Sequence, residues 1–125
     1  MNTTELLAQH LARTRYEDLP AEAVRATKEH ILHTLATVLA GSDAPGCKTV
    51  VDLIEDEGGR CESTVLVYGV KVPAAQAALA NSCMAHARDF CNNDDRIAYK
   101  SSVCAIPASL AVAEREGSVS GTELI

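Results

Sequence analysis

Large aromatic side chains are almost missing from this chain: they make up 3% of its 125 residues, with Phe90 the sole phenylalanine and no tryptophan. A ladder of rings on which bases could stack is therefore excluded. Positive charge is also short, with 11 Lys and Arg against 17 Asp and Glu and a net charge of −6. No basic stripe is present, so nucleic acid is not an expected partner. No apolar run reaches the length of a membrane span, and no membrane partner is expected. Residues Met1 to His10 lack a basic region followed by an apolar core, so they do not read as a secretory signal, and the cytoplasm is the expected location. The five cysteines, Cys47, Cys61, Cys83, Cys91 and Cys104, form no CxxC pair and are odd in number. That pattern argues against a zinc knuckle and against a disulfide framework, and reads instead as reduced small hydrophobes.

What the chain has in quantity is alanine, within an apolar content of 47%. Alanine favours helix and lets helices approach closely, so the expected fold is mainly α, with a core of small side chains and a surface left over for a partner. A first helix is expected from Thr4 to Thr14, with Glu5 at the positive end of its dipole. A second starts at Pro20 and carries Val24, Ile31, Leu35, Val38 and Leu39 at helical spacing, with Gly41 as its C-terminal cap. A third covers Lys48 to Glu57 and ends at Gly58 and Gly59. The β-branched run from Thr64 to Gly69 reads as one short strand or extended segment, near 64–68, that must find a partner elsewhere or lie on the helices. Pro73 opens a fourth helix reaching Phe90, alanine-rich nearly all round and hence central. A polar loop follows at 91–102, then a helix from Val103 to Glu116 with Pro107 in its first turn or kinking it. Ser120 and Glu123 form an S-x-x-E capping box, the start signal of a helix whose first apolar residues are Leu124 and Ile125. Such a turn alone cannot sustain a helix. Residues 1–125 are thus expected to be a single helical domain, truncated at its C-terminal end.

The residues with chemical potential cluster. His86, Asp89, Asp94, Asp95, Arg96, Tyr99, Lys100, Ser101 and Ser102 fall within 17 residues, at the end of an apolar helix and in the loop after it. His86 and Asp89 are three apart and share a helix face. Asp89 can orient a neighbour, bind a substrate hydroxyl, or act as a base if burial raises its pKa. Lys100 can hold a carboxylate or, if desolvated, move a proton. His86, Asp89 and Cys91 mix hard and soft ligands in an order that reads poorly as a metal site, so no metal and no other cofactor is expected. A solvated loop is the bland alternative, since Asn, Asp, Arg and Lys are common in loops.

Three stretches, in order, resemble the N-terminal part of the MmgE/PrpD family: RYEDLPAEAVRATKEHILHTLATVLAGSDAP, VPAAQAALANSCMAHARDF and IPASLAVAEREGSVSGTELI. The family comprises 2-methylcitrate dehydratases, cis-aconitate decarboxylases and iminodisuccinate epimerases. The resemblance implies the front of a large helical domain, usually dimeric, with chemistry at a carbon next to a carboxylate and neither metal nor organic cofactor. It matches Asp89 to the Asp of the family's active-site Asp-Phe motif. Cys91, Asn92 and Asn93 stand where the family has Asp-Asp-Thr, and Asp94 falls near the missing Thr. Lys100, Ser101 and Ser102 stand where it has His-Pro-Ser. A later Lys and His of the family site have no counterpart among these residues.

Two functions are compatible with these features. In the first, the chain is a fragment or small subunit of a lyase or isomerase acting on a small polycarboxylate and inactive alone. Asp89 and Lys100 are its catalytic candidates, and His86, Asn93, Asp94, Ser101 and Ser102 its substrate-binding candidates. A homodimer or a complementary chain completes the site. In the second, the chain is a truncated, non-catalytic family member that self-associates as a helical module.

Overall fold

The computed structural model describes residues 2–93 and 99–125. Helix dominates, as expected: α1 Thr3–Arg13, α2 Ala21–Gly41, α3 Cys47–Glu57, α4 Ala74–His86, α5 Ser102–Glu116 and the single turn α6 Gly121–Leu124. Two short strands, β1 Ser63–Thr64 and β2 Lys71–Val72, interrupt them. Among the described residues no helix is long and apolar enough to cross a membrane.

The core follows from alanine. α4 packs between α2 and α5 and also touches α3 and both strands. It buries Ala74, Ala77, Ala80, Asn81, Met84 and Ala85. Around these lie Val38 of α2, Val51 and Ile54 of α3, and Val103 and Ala111 of α5. The helix is central, but it is not enclosed on every face, since Leu79 is 54% exposed. It also ends sooner than expected, at His86 rather than Phe90, because Asp89 takes a left-handed backbone (φ 56°) that a helix cannot continue through.

Gly41 has a different role from the expected cap. α2 runs through it, and Ser42 follows in right-handed helical geometry. The glycine is needed because α4 crosses there: a β-carbon on Gly41 would lie 2.0 Å from the Met84 carbonyl oxygen. Close approach, not chain reversal, selects glycine at this position.

The extended segment near 64–68 is corrected too. Only Ser63 and Thr64 are strand, paired antiparallel with Val72 and Lys71. Residues 66–68 form the turn between them, closed by Val65 N–H to the Val70 carbonyl (2.8 Å) and Gly69 N–H to the Val65 carbonyl (2.9 Å). The partner strand is therefore local. Val67 (φ 70°) and Gly69 (φ 74°) both adopt left-handed backbone and reverse the chain, which a β-branched pattern does not announce.

Side chains fasten this hairpin to the helices. The buried Asn81 donates from Nδ2 to the Thr64 carbonyl (3.0 Å) and accepts from Leu66 N–H at Oδ1 (2.9 Å). Ser63 Oγ donates to the Ala111 carbonyl at 2.5 Å. Glu114 accepts from the Thr64 hydroxyl and N–H and pairs with Lys71 Nζ at 2.9 Å. The Thr64 hydroxyl first, and Lys71 after it, hold the Glu114 carboxyl below its ordinary range.

Pro107 lies inside α5, beyond the first turn, and is buried. The Ser120–Glu123 capping box forms as read: Glu123 N–H reaches Ser120 Oγ at 3.3 Å, and Glu123 Oε2 accepts from Ser120 N–H at 2.8 Å.

Candidate functional site

The candidate residues meet where α4 ends. His86 is the last residue of α4, and Asp89 N–H caps it by donating to the His86 carbonyl at 2.9 Å. The left-handed turn at Asp89 sends the chain back, so that Cys91 Sγ comes to 3.2 Å from His86 Nδ1. Asp89 Oδ1 lies 4.0 Å from the same nitrogen. Lys100, eleven residues on, closes the cluster by donating from Nζ to Asp89 Oδ1.

This pair fixes both charges. The hydrogen bond from Lys100, and then its positive charge, hold the Asp89 carboxyl below the ordinary carboxylate range. The hydrogen bond to Asp89 likewise raises the Lys100 pKa, with support from its charge and from Cys91. Asp89 is exposed, and burial does not make it a base. Nor is Lys100 desolvated into a neutral amine. The cluster therefore pairs an anion, Asp89, with a cation, Lys100.

The turn is anchored from both sides. Arg88 donates from Nε to the Ala40 carbonyl and from Nη2 to Asp43 Oδ1, each at 2.7 Å. The cation thereby sits at the C-terminal end of α2, where the helix dipole favours it, and its hydrogen bond and charge lower the Asp43 pKa. Two histidines of α2 then hold the loop: His33 Nε2 lies 2.9 Å from the Phe90 carbonyl, and His30 Nδ1 lies 2.6 Å from Asn92 Nδ2. Sequence reasoning did not single out Arg88, His30 or His33. The signal for the histidines was their spacing of three, which places both on one face of α2.

The other candidates are more scattered. Asn93 is exposed, two residues past Cys91. Asp94 lies outside the described residues. Ser101 is the residue before α5 and caps it through its backbone only, its carbonyl accepting from Cys104 and Ala105 N–H. Ser102 is buried, and among the described residues its hydroxyl has no hydrogen-bond partner. Beside His86 runs an open apolar groove of about 480 Å³, lined by Cys47, Val50, Cys83, Val103 and Cys104 among others. It offers room for the carbon skeleton of a small ligand next to the charged cluster.

The family model described as MmgE/PrpD N-terminal domain matches residues 5–125. No curated protein and no solved structure matches the chain. The match spans every helix from α2 to α6, and with it the whole charged cluster at the end of α4. The chain belongs to the MmgE/PrpD family, and residues 5–125 match its N-terminal domain.

Proposed function

We propose that this domain supplies the carboxylate-holding part of the active site of a lyase or isomerase that works next to a carboxylate of a small polycarboxylate. The observation that carries the reading is the Lys100–Asp89 pair at the end of α4, beside His86 and the apolar groove. Lys100 is the group that holds a substrate carboxylate. Asp89 keeps the ammonium charged and aimed. Asn93, Asp94, Ser101 and Ser102 are the remaining candidates to contact the substrate's polar groups.

Proton removal next to a carboxylate also needs a base near the reacting carbon and groups that stabilise the enolate. With Asp89 held as an anion of low basicity and Lys100 held as a cation, neither is that base. The base is proposed to come from further polypeptide, either a second copy or a complementary chain, and no metal or organic cofactor takes part. The test is an assay of the purified 125-residue chain with 2-methylcitrate and with cis-aconitate. No turnover is expected, because a missing general acid–base group alone costs about 10²–10⁴-fold. Turnover by the chain alone would overturn the proposed division of labour.

A second reading is favoured by one observation. Leu32, Leu35 and Leu39 recur along α2 and are 71%, 37% and 64% exposed. Such a stripe suits a helical module that associates with itself, catalytic or not. Sedimentation separates the cases: a dimer at micromolar concentration supports association, and a well-folded monomer counts against it.

A further inference from the structure

Three side chains at the end of α4 bring one ligand atom each to a common point. His86 Nδ1, an Asp89 carboxylate oxygen and Cys91 Sγ all lie within 4.8 Å of one another. Two of the separations are 3.2 Å, nitrogen to sulfur, and 4.0 Å, nitrogen to oxygen. Zinc bonds to these atom types in a tetrahedral arrangement set ligand atoms about 3.3–3.8 Å apart. The first separation lies just below that range and the second just above it, and the Asp89–Cys91 separation is within 4.8 Å, so side-chain rotation of the exposed Asp89 brings the three atoms toward one centre. The spacing His-x-x-Asp-x-Cys does not achieve this on a continuous helix, where a residue five positions on points well away from the first. It is achieved because the chain leaves the helix after His86, passes through the left-handed Asp89 and folds Cys91 back onto the imidazole. Hydrogen bonds hold that fold-back in place: His33 Nε2 donates to the Phe90 carbonyl, and His30 Nδ1 accepts from Asn92 Nδ2.

We propose that this turn binds a borderline divalent transition metal, zinc foremost, through His86 Nδ1, Asp89 Oδ1 and the Cys91 thiolate, with the fourth position open to solvent. Imidazole and thiolate select zinc over magnesium or calcium, and three protein ligands with an open position form an ordinary zinc arrangement. Binding releases the thiol proton of Cys91 to solvent. It also displaces Lys100, because the ammonium occupies the same Asp89 oxygen and a dication at the cluster repels it. Metal and Lys100 are therefore competitors for Asp89. The inference does not rest on the catalytic reading. If both hold, the zinc-bound state and the Asp89-held arrangement of Lys100 exclude one another.

The test is titration of the full chain with Co²⁺ alone. One equivalent is expected to bind, giving a thiolate-to-cobalt charge-transfer band and the visible bands of a tetrahedral site, both removed by added Zn²⁺. Cys91→Ser and His86→Ala should each weaken binding by at least about 100-fold, beyond the roughly 10–100-fold lost with an outer-shell partner. Lys100→Gln should tighten it. The exposed Cys61 and Cys104 are the competing thiols, and their double replacement by serine should leave the band intact. Far-ultraviolet circular dichroism checks that each variant folds. A second readout uses the unmodified sequence: Zn²⁺ should protect Cys91 from alkylation, mapped by mass spectrometry, while Cys61 stays reactive. Absence of a band at excess Co²⁺, a band that survives Cys91→Ser, or Cys91 alkylation unchanged by Zn²⁺ would each overturn the proposal.

Discussion

Gly41 and Met84 mark the closest crossing of α2 and α4: a β-carbon on the glycine would stand 2.0 Å from the methionine's carbonyl oxygen. Met84 is fully buried and lies two residues before His86. This contact therefore sets the distance between the helix that carries the site and the helix that holds its loop. Gly41→Ala should cost about 3 kcal/mol, since overpacking outweighs the roughly 1 kcal/mol that alanine gains in a helix. Urea unfolding followed by circular dichroism reads this directly. A variant as stable as the parent would mean the helices do not cross so closely.

Asn81 should be equally intolerant, for a different reason. Its amide satisfies the Thr64 carbonyl and the Leu66 N–H from within the core. Asn81→Ala leaves both backbone groups without partners and should cost about 2–3 kcal/mol. Hydrogen exchange at the Leu66 amide should quicken more than exchange in α3. Equal quickening everywhere would show that the amide does not specifically hold the hairpin.

Val67 is a β-branched residue in left-handed backbone (φ 70°) and is 57% exposed. It stores strain with little burial in return. Strain of this kind costs about 1–3 kcal/mol, and glycine removes it at an entropic cost of roughly 0.5–1 kcal/mol. Val67→Gly should thus raise stability by about 1 kcal/mol. A loss of stability would show that the valine side chain is needed where it stands.

The Asp89–Lys100 pair has a pH window that follows from the two directions. Asp89 is lowered from 3.8, so its contribution is complete above that value and is lost as pH falls through the lower folded one. Lys100 is raised from 10.5, so its contribution is complete below that value and is lost as pH rises through the higher folded one. The pair is therefore intact across the neutral range. Carbon-detected NMR titration should place the Asp89 carboxyl below 3.8 in the parent and move it up in Lys100→Gln. An Asp89 that titrates identically in both would remove the pair from the site.

Much of this fold was legible because its determinants are local. Capping residues, glycines after helices and apolar spacing located five helices and the capped turn at Ser120 to within a few residues. What was not legible depended on contacts distant in sequence. Gly41 looks like a cap until α4 is packed against it, and the run from Thr64 to Gly69 looks like a strand until Val67 and Gly69 reverse it. At the site, the motif led to Asp89 and Lys100. Their protonation behaviour is set by the pair itself, and loop anchoring by His30 and His33 came from a helix some sixty residues earlier in the chain.

The central claim is that Lys100, held by Asp89, is a receptor for a carboxylate of a small polycarboxylate. The most direct test is titration of the ¹⁵N-labelled chain with a tricarboxylate such as citrate, followed by amide shifts and by calorimetry. Saturable shifts confined to residues 86–93, 99–102 and the groove are predicted. Binding should be about tenfold weaker in Lys100→Gln, the equivalent of losing one charge-assisted hydrogen bond of roughly 1.5 kcal/mol. Shifts that leave those residues untouched, or an affinity unchanged by Lys100→Gln, would contradict it.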